Sequence, residues 1–200
     1  CVSEIIAKGI IPAGMEIMDK ALTKATNDYS KAGYPVDAEA MMIVELDGTE
    51  TEVSELIKRV EDIAKKNKCS SIKINKSEEE RLKFWAGRKA AFPACGDLAP
   101  DYMCMDGSIP RGKLAEVLKE IQRLSKKYEL PVANAFHAGD GNLHPLIMFN
   151  ANDPEQLRKT EEFGSEILKY CVKVERALTG EHGVGIEKRE LMIKAVKRTD

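Results

Sequence analysis

The stretch that most constrains this chain is "VANAFHAGDGNLHPLIMF", residues 132–149, where two strand-like apolar runs flank the dipeptide Asp140-Gly141. Asp-Gly accepts positive φ at the centre of a tight turn whose twist suits the strands on either side. The spacing predicts an antiparallel hairpin with a two-residue turn, pairing Gly139 with Asn142, Ala138 with Leu143 and His137 with His144. Directly opposed residues share a face of the sheet, with Cβ atoms about 4.5–5.5 Å apart, a separation that suits two imidazoles converging on one metal ion. A slip of one residue would send the two rings to opposite faces. These are two of only three histidines among 200 residues. The alternative is that they merely flank a tight turn as hydrogen-bonding side chains.

The third histidine follows a carboxylate in "TGEHGVGIEK", residues 179–188. A cation gripped by two histidines commonly takes a carboxylate as well and keeps an open position for water or substrate, so Glu181 is the natural third ligand. His182 is then a free imidazole beside the metal, suited to accepting a proton near neutral pH. The competing explanation is a helix C-cap loop, because Gly180, Gly183 and Gly185 all permit positive φ. A dinucleotide-binding loop is disfavoured, since the glycines follow a helix-like segment and not a strand.

Around these loops, helix-period and strand-like segments alternate. Met15, Met18, Leu22, Ala25 and Tyr29 recur at helical spacing, with Gly33 and Pro35 as the stop. "MMIVEL" (residues 41–46) reads as a strand, and Val53 to Ala64 as a helix. "SIKINK" (residues 71–76) alternates as a half-buried strand would. Ser77 and Glu80 form a capping-box pattern before the helix bearing "LKFWAGRKAAF". A strand near residues 102–105 precedes a helix carrying Leu114, Val117, Leu118, Ile121 and Leu124. Asp153 and Pro154 open a long helix through Leu178, ended by Gly180. With no repeat or proline-rich linker, one compact α+β domain over residues 1–200 is the economical reading.

Composition narrows the function. The 31 basic and 33 acidic residues nearly cancel and 6% of residues are aromatic, so a nucleic-acid-binding face has no support. No apolar run approaches the roughly 18 residues of a membrane helix, and no signal-peptide pattern opens the chain. Five scattered cysteines, an odd number without a C-x-x-C pair, point to a reducing, cytoplasmic setting. The chain starts and stops inside helical patterns, as an excised piece of a longer protein would.

"HAGDGNLHP" and "GEHGVGIEK", with "FWAGRKAAFPA", "DYMCMDGSIPR", "GMEIMDKA" and "AGYPVDAEA", together resemble the C-terminal domain of FAD-linked 2-hydroxyacid oxidases and dehydrogenases of the vanillyl-alcohol oxidase superfamily, nearest the glycolate-oxidising branch. The resemblance implies a substrate-side cap domain with a ferredoxin-like antiparallel sheet covered by helices, while FAD is held mainly by an N-terminal domain absent from this chain. It makes His137, His144 and Glu181 ligands of a divalent metal such as Zn, Mn or Fe, and His182 the base that removes the substrate's hydroxyl proton. Arg88 matches the arginine that grips the substrate carboxylate, a role the bidentate guanidinium suits.

In the 2-hydroxyglutarate branch a threonine and a lysine also contact the substrate. Their positions are occupied here by Phe92 and Cys104, which favours a small 2-hydroxy monocarboxylate such as glycolate or D-lactate. Further glycolate oxidase subunits and inner-membrane association through them are also implied. Two other functions would use some of the same features. A metal-dependent hydrolase could use two histidines and a glutamate to activate water, and a non-catalytic module could dock subunits on its sheet.

Overall fold

A computed structural model describes residues 1–174 and 177–192. Six strands form one sheet: β1 (Gly14–Asp19), β2 (Ala40–Glu45), β3 (Asp101–Cys104), β4 (Gly107–Ser108), β5 (Val132–His137) and β6 (Asn142–Phe149). The order is β2-β1-β5-β6-β3, with β4 also beside β6, and every pairing is antiparallel. Among the described residues, seven α-helices accompany it: α1 (Val2–Ala7), α2 (Lys20–Ser30), α3 (Glu50–Lys66), α4 (Glu78–Lys89), α5 (Ala91–Ala94), α6 (Leu114–Tyr128) and α7 (Pro154–Lys173). This is the expected α+β architecture, a ferredoxin-like antiparallel sheet covered by helices.

Strand alternation decides which helices each face receives. Odd-numbered β6 residues Leu143, Ile147 and Phe149 pack with Phe136 against Val117, Ile121 and Leu124 of α6 and Phe163, Ile167 and Leu168 of α7. On the opposite face, Leu146 and Met148 join Ala133, Ala135 and Met18 beneath Leu22 of α2 and Ala91 of α5. A third apolar cluster joins Val2 and Ile5 of α1 and Ile63 of α3 to Met15. By the same alternation Glu16, His137, Asn142, His144 and Cys104 belong to the α2/α5 face, so the scarce polar residues share one side of the sheet.

Several expectations are corrected. Residues 15–19 form a strand and not the start of a helix: the side chain of Asp19 accepts from Leu22 N at 3.0 Å and opens α2 only at Lys20. Met15, Glu16 and Met18 are all buried because this central strand is covered on both faces, which erased the period-two signal. "SIKINK" is a loop with Ile72 and Ile74 exposed, because no neighbouring strand pairs with it. The long helix ends at Lys173, so Leu178 reaches the core from a loop. The helical pattern closing the chain, residues 193–200, lies outside the described residues.

The central hairpin forms in a different register. His137 pairs with Asn142, and His144 with Ala135. Residues 138–141 make a four-residue turn in which the amides of Asp140 and Gly141 both donate to His137 O, at 3.1 and 3.0 Å. Neighbouring elements claim the residues that a tighter turn would have paired. Gly139 N donates to Met15 O at 3.2 Å, and Arg111 Nη1 donates to Gly139 O at 2.9 Å. Gly141 sits at φ +75°, where a Cβ would lie 2.2 Å from the carbonyl oxygen of Ile109. The offset is two residues, so both histidines keep the same face as diagonal neighbours.

Candidate functional site

At the open end of this face the histidines meet. Their ring centroids are 5.1 Å apart and nearly perpendicular. Nε2 of His137 lies 3.6 Å from Glu181 Oε1, and Nε2 of His144 lies 3.6 Å from Glu181 Oε2. The three ligand atoms fall within 4.8 Å of one another. The ring of His182 stacks on His144 at 5.1 Å with an interplanar angle of 19°. All four residues expected at the centre therefore come together.

What aims the His137 ring is Glu16, whose Oε1 lies 2.7 Å from Nδ1 and so leaves Nε2 turned to Glu181. Holding the remote nitrogen on a carboxylate fixes the tautomer and raises the basicity of the free one. The other oxygen of Glu16 accepts from Nε and Nη2 of buried Arg88 at 3.2 and 2.9 Å. The side-on edge of the Arg88 guanidinium, expected to face a substrate carboxylate, is engaged by Glu16. Burial alone would raise the Glu16 carboxyl, but the His137 hydrogen bond and the Arg88 charge outweigh it and hold the acid below its usual range. The same hydrogen bond, which His137 Nδ1 donates to Glu16, raises His137.

His144 behaves oppositely. Burial, reinforced by the nearby His137, pushes its pKa down to about 4. It is thus a neutral imidazole at physiological pH, the form that binds a cation. Two imidazole nitrogens, one with a carboxylate behind it, and a facing carboxylate make a donor set that fits a divalent ion with open positions. Glu181 and His182 are exposed, so the cluster opens outward.

The Glu181-His182 loop is held by a residue that the sequence reading missed. Asp106, fully buried just after β3, takes the backbone N–H groups of Gly180, Glu181 and His182 on Oδ2 at 3.0, 3.0 and 2.9 Å. The same oxygen accepts from Thr179 Oγ1 at 2.6 Å and from Lys188 Nζ at 3.2 Å. Burial opposes the charge, yet the Thr179 hydroxyl, these amides and Lys188 hold the Asp106 carboxyl far below its usual range. Gly180 must be glycine for contact reasons: a Cβ there would lie 2.2 Å from Oδ1 of Asn142. The Asn142 amide is itself buried, and neither of its polar atoms has a hydrogen-bond partner among the described residues.

Glu16, Asp106, Asn142, Thr179 and Lys188 all lie within the quoted motifs, but no ligand-like spacing marked them there. The available signal was a charge inside an apolar run: Glu16 between methionines, and Asp106 directly after "YMCM". Phe92 and Cys104 are drawn in as well. The Phe92 ring meets His144 edge-on at 6.2 Å, and Cys104 Sγ lies 3.8 Å from His144 Nδ1.

Comparison with known proteins agrees with this architecture. The glycolate oxidase subunit GlcD of Escherichia coli strain K12 is 54% identical over 187 residues, covering 94% of this chain and 38% of that protein. A mitochondrial D-lactate dehydrogenase [cytochrome] of Arabidopsis thaliana is 30% identical over 188 residues, covering 93% of this chain and 33% of that protein. The chain thus spans between a third and two fifths of these relatives. Among solved structures, p-cresol methylhydroxylase with substrate bound shares the fold with a TM-score of 0.62 at 14% identity, over 88% of this chain and 41% of that one. The family profile described as "FAD linked oxidases, C-terminal domain" matches residues 1–200, and the chain belongs to that family.

Proposed function

We propose that this chain is the substrate-side domain of an FAD-dependent 2-hydroxyacid oxidase or dehydrogenase of the glycolate or D-lactate type, joined in the full-length protein to an N-terminal FAD domain. The observation that carries this reading is the convergence of His137, His144 and Glu181, with His182 stacked beside them, in a domain of the FAD-linked oxidase family. His137, His144 and Glu181 would hold the divalent ion. When bound, that ion supplies Lewis acidity at the substrate's 2-hydroxyl oxygen and FAD supplies the acceptor for the hydride on C2.

The chain's own residues do the rest. His182, on the exposed side of the cluster and fixed through its backbone by Asp106, accepts the hydroxyl proton. His144, held neutral by burial, donates a lone pair and no charge. Arg88 keeps Nη1 outside its pair with Glu16, and this edge orients the substrate carboxylate through a single contact. Phe92 and Cys104, both neutral, border the site where a second substrate carboxylate would need a cation, which selects a monocarboxylate. Glycolate oxidase-type partner subunits, and through them an inner-membrane location, belong to the same proposal.

The test is anaerobic addition of glycolate and of D-lactate to the full-length protein while its visible flavin absorbance is followed. Bleaching by either acid, with no response to 2-hydroxyglutarate, is expected. A protein without flavin that hydrolyses esters or amides would instead establish the hydrolase alternative.

A further inference from the structure

Cys104 is the one thiol at the site, and the proposed reaction gives it no chemical step. It lies on β3 opposite Leu146, and its Sγ faces His144 Nδ1 at 3.8 Å. The opposite nitrogen of the same ring, Nε2, is the one turned to Glu181. The His182 ring lies over His144, and Cys104, His144 and His182 each offer one ligand atom within 4.8 Å of the others. The His144 ring therefore stands between two donor sets, His2Glu on one edge and His2Cys on the other.

We propose that Cys104, His144 and His182 form a second metal site, selective for thiophilic divalent ions such as Zn²⁺ or Cd²⁺, and that its occupation inhibits the enzyme by taking His182. The binding half of this inference is independent of the reaction assigned above, whereas the inhibition half rests on it. Donor chemistry supplies the selectivity: thiolate with imidazole favours zinc and softer ions, while two imidazoles and a carboxylate also accept manganese or iron. Geometry is close to what is required. A tetrahedral zinc with bonds of about 2.3 Å to sulfur and about 2.0 Å to nitrogen separates those ligand atoms by about 3.5 Å, against the 3.8 Å observed.

Burial pushes the Cys104 thiol up to about 12, so it is protonated until a cation arrives. Binding then forms a metal–sulfur bond and releases the thiol proton; with the first site also filled, His144 bridges the two ions as an imidazolate and its ring N–H proton is released as well. Because the two sites use opposite nitrogens of His144, filling the second removes no ligand atom from the first. What it removes is the lone pair of His182, and with it the proposed proton acceptor.

The experiment is zinc K-edge X-ray absorption on the full-length protein at one and two equivalents of Zn²⁺, in wild type, Cys104→Ser and His137→Ala, with inhibition by added Zn²⁺ measured in parallel. A sulfur shell at about 2.3 Å is expected in wild type at two equivalents. It should vanish in Cys104→Ser and persist in His137→Ala. The half-inhibitory zinc concentration should rise at least about tenfold in Cys104→Ser, each protein referred to its own uninhibited rate. No sulfur scattering at either loading overturns the proposal. So does a sulfur shell that survives Cys104→Ser, because exposed Cys1 and Cys69 would then be its source. If zinc binds through nitrogen and oxygen alone and is lost in His137→Ala, the second site falls and the first stands. If only the sulfur-ligated zinc is found, the His2Glu reading falls and the second site stands.

Discussion

Asp106→Asn is the substitution whose consequences the structure specifies most fully. Oδ2 of Asp106 accepts five hydrogen bonds, from Thr179, Gly180, Glu181, His182 and Lys188, and Oδ1 accepts a sixth from Glu181 N at 3.1 Å. An asparagine oxygen can keep the Oδ2 position, but it carries no charge, and its NH2 group then faces the Glu181 amide donor to donor. Hydrogen bonds to a charged group contribute about 1.5–3 kcal/mol, against about 0.5–1.5 for neutral ones. Leaving the buried Lys188 ammonium without its counter-charge costs about 3–5 kcal/mol. These effects overlap, so the expected loss is about 3–5 kcal/mol in total.

The assay is urea unfolding followed by the fluorescence of Trp85, the only tryptophan. It is joined by amide hydrogen exchange at Gly180, Glu181 and His182 and by metal affinity from chelator competition. Protection of the three amides should fall, and affinity should drop about 10–100-fold, the usual cost of releasing a ligand from its support. Adding Lys188→Met to Asp106→Asn should recover part of the stability, since both buried charges are then gone. A single variant within about 0.5 kcal/mol of wild type, with unchanged exchange and affinity, would refute the view that Asp106 holds the loop.

Gly180→Ala places a methyl 2.2 Å from Asn142 Oδ1, so the loop must move: a loss of about 1–3 kcal/mol and weaker metal binding are expected, and unchanged metal affinity would contradict the contact. Glu16→Gln leaves Arg88 buried without its counter-charge and weakens the hold on His137; unfolding should ease by about 2–4 kcal/mol, and chelator competition should show metal affinity lower by about tenfold. In metal-free protein His144 has a folded pKa of about 4 against an unfolded value near 6.5, so the unfolded chain binds more protons between these limits. Its contribution is therefore full above the unfolded value and declines by about 3 kcal/mol as pH falls toward 4; urea midpoints at several pH values, with His144→Asn as the reference, measure it, and parallel pH curves would contradict it.

The sequence made the hairpin and its face legible because Asp140-Gly141 marks the turn and the side-chain period is two. The turn's length was not legible. It depends on β1 taking Gly139 and on Arg111 reaching its carbonyl, both long-range contacts. For a related reason β1 was read as helix: its Met15, Glu16 and Met18 are buried on both faces, so alternation had nothing to report. The four residues that converge at the candidate site were singled out by the scarcity of histidine and by resemblance. Their supports, Glu16 and Asp106, act through partners 121 positions away in the case of His137, and 73 or more in the case of the loop, separations at which local spacing carries no signal.

The most direct test of the account is anaerobic stopped-flow reduction of the flavin by glycolate or D-lactate in full-length His182→Ala, with metal content determined on the same sample. The metal is expected to remain at the wild-type stoichiometry while reduction slows by a factor of about 10²–10⁴, the usual worth of a positioned proton acceptor. Loss of the metal in this variant, or reduction at the wild-type rate with the metal in place, would contradict the division of labour between His137, His144 and Glu181 as ligands and His182 as base.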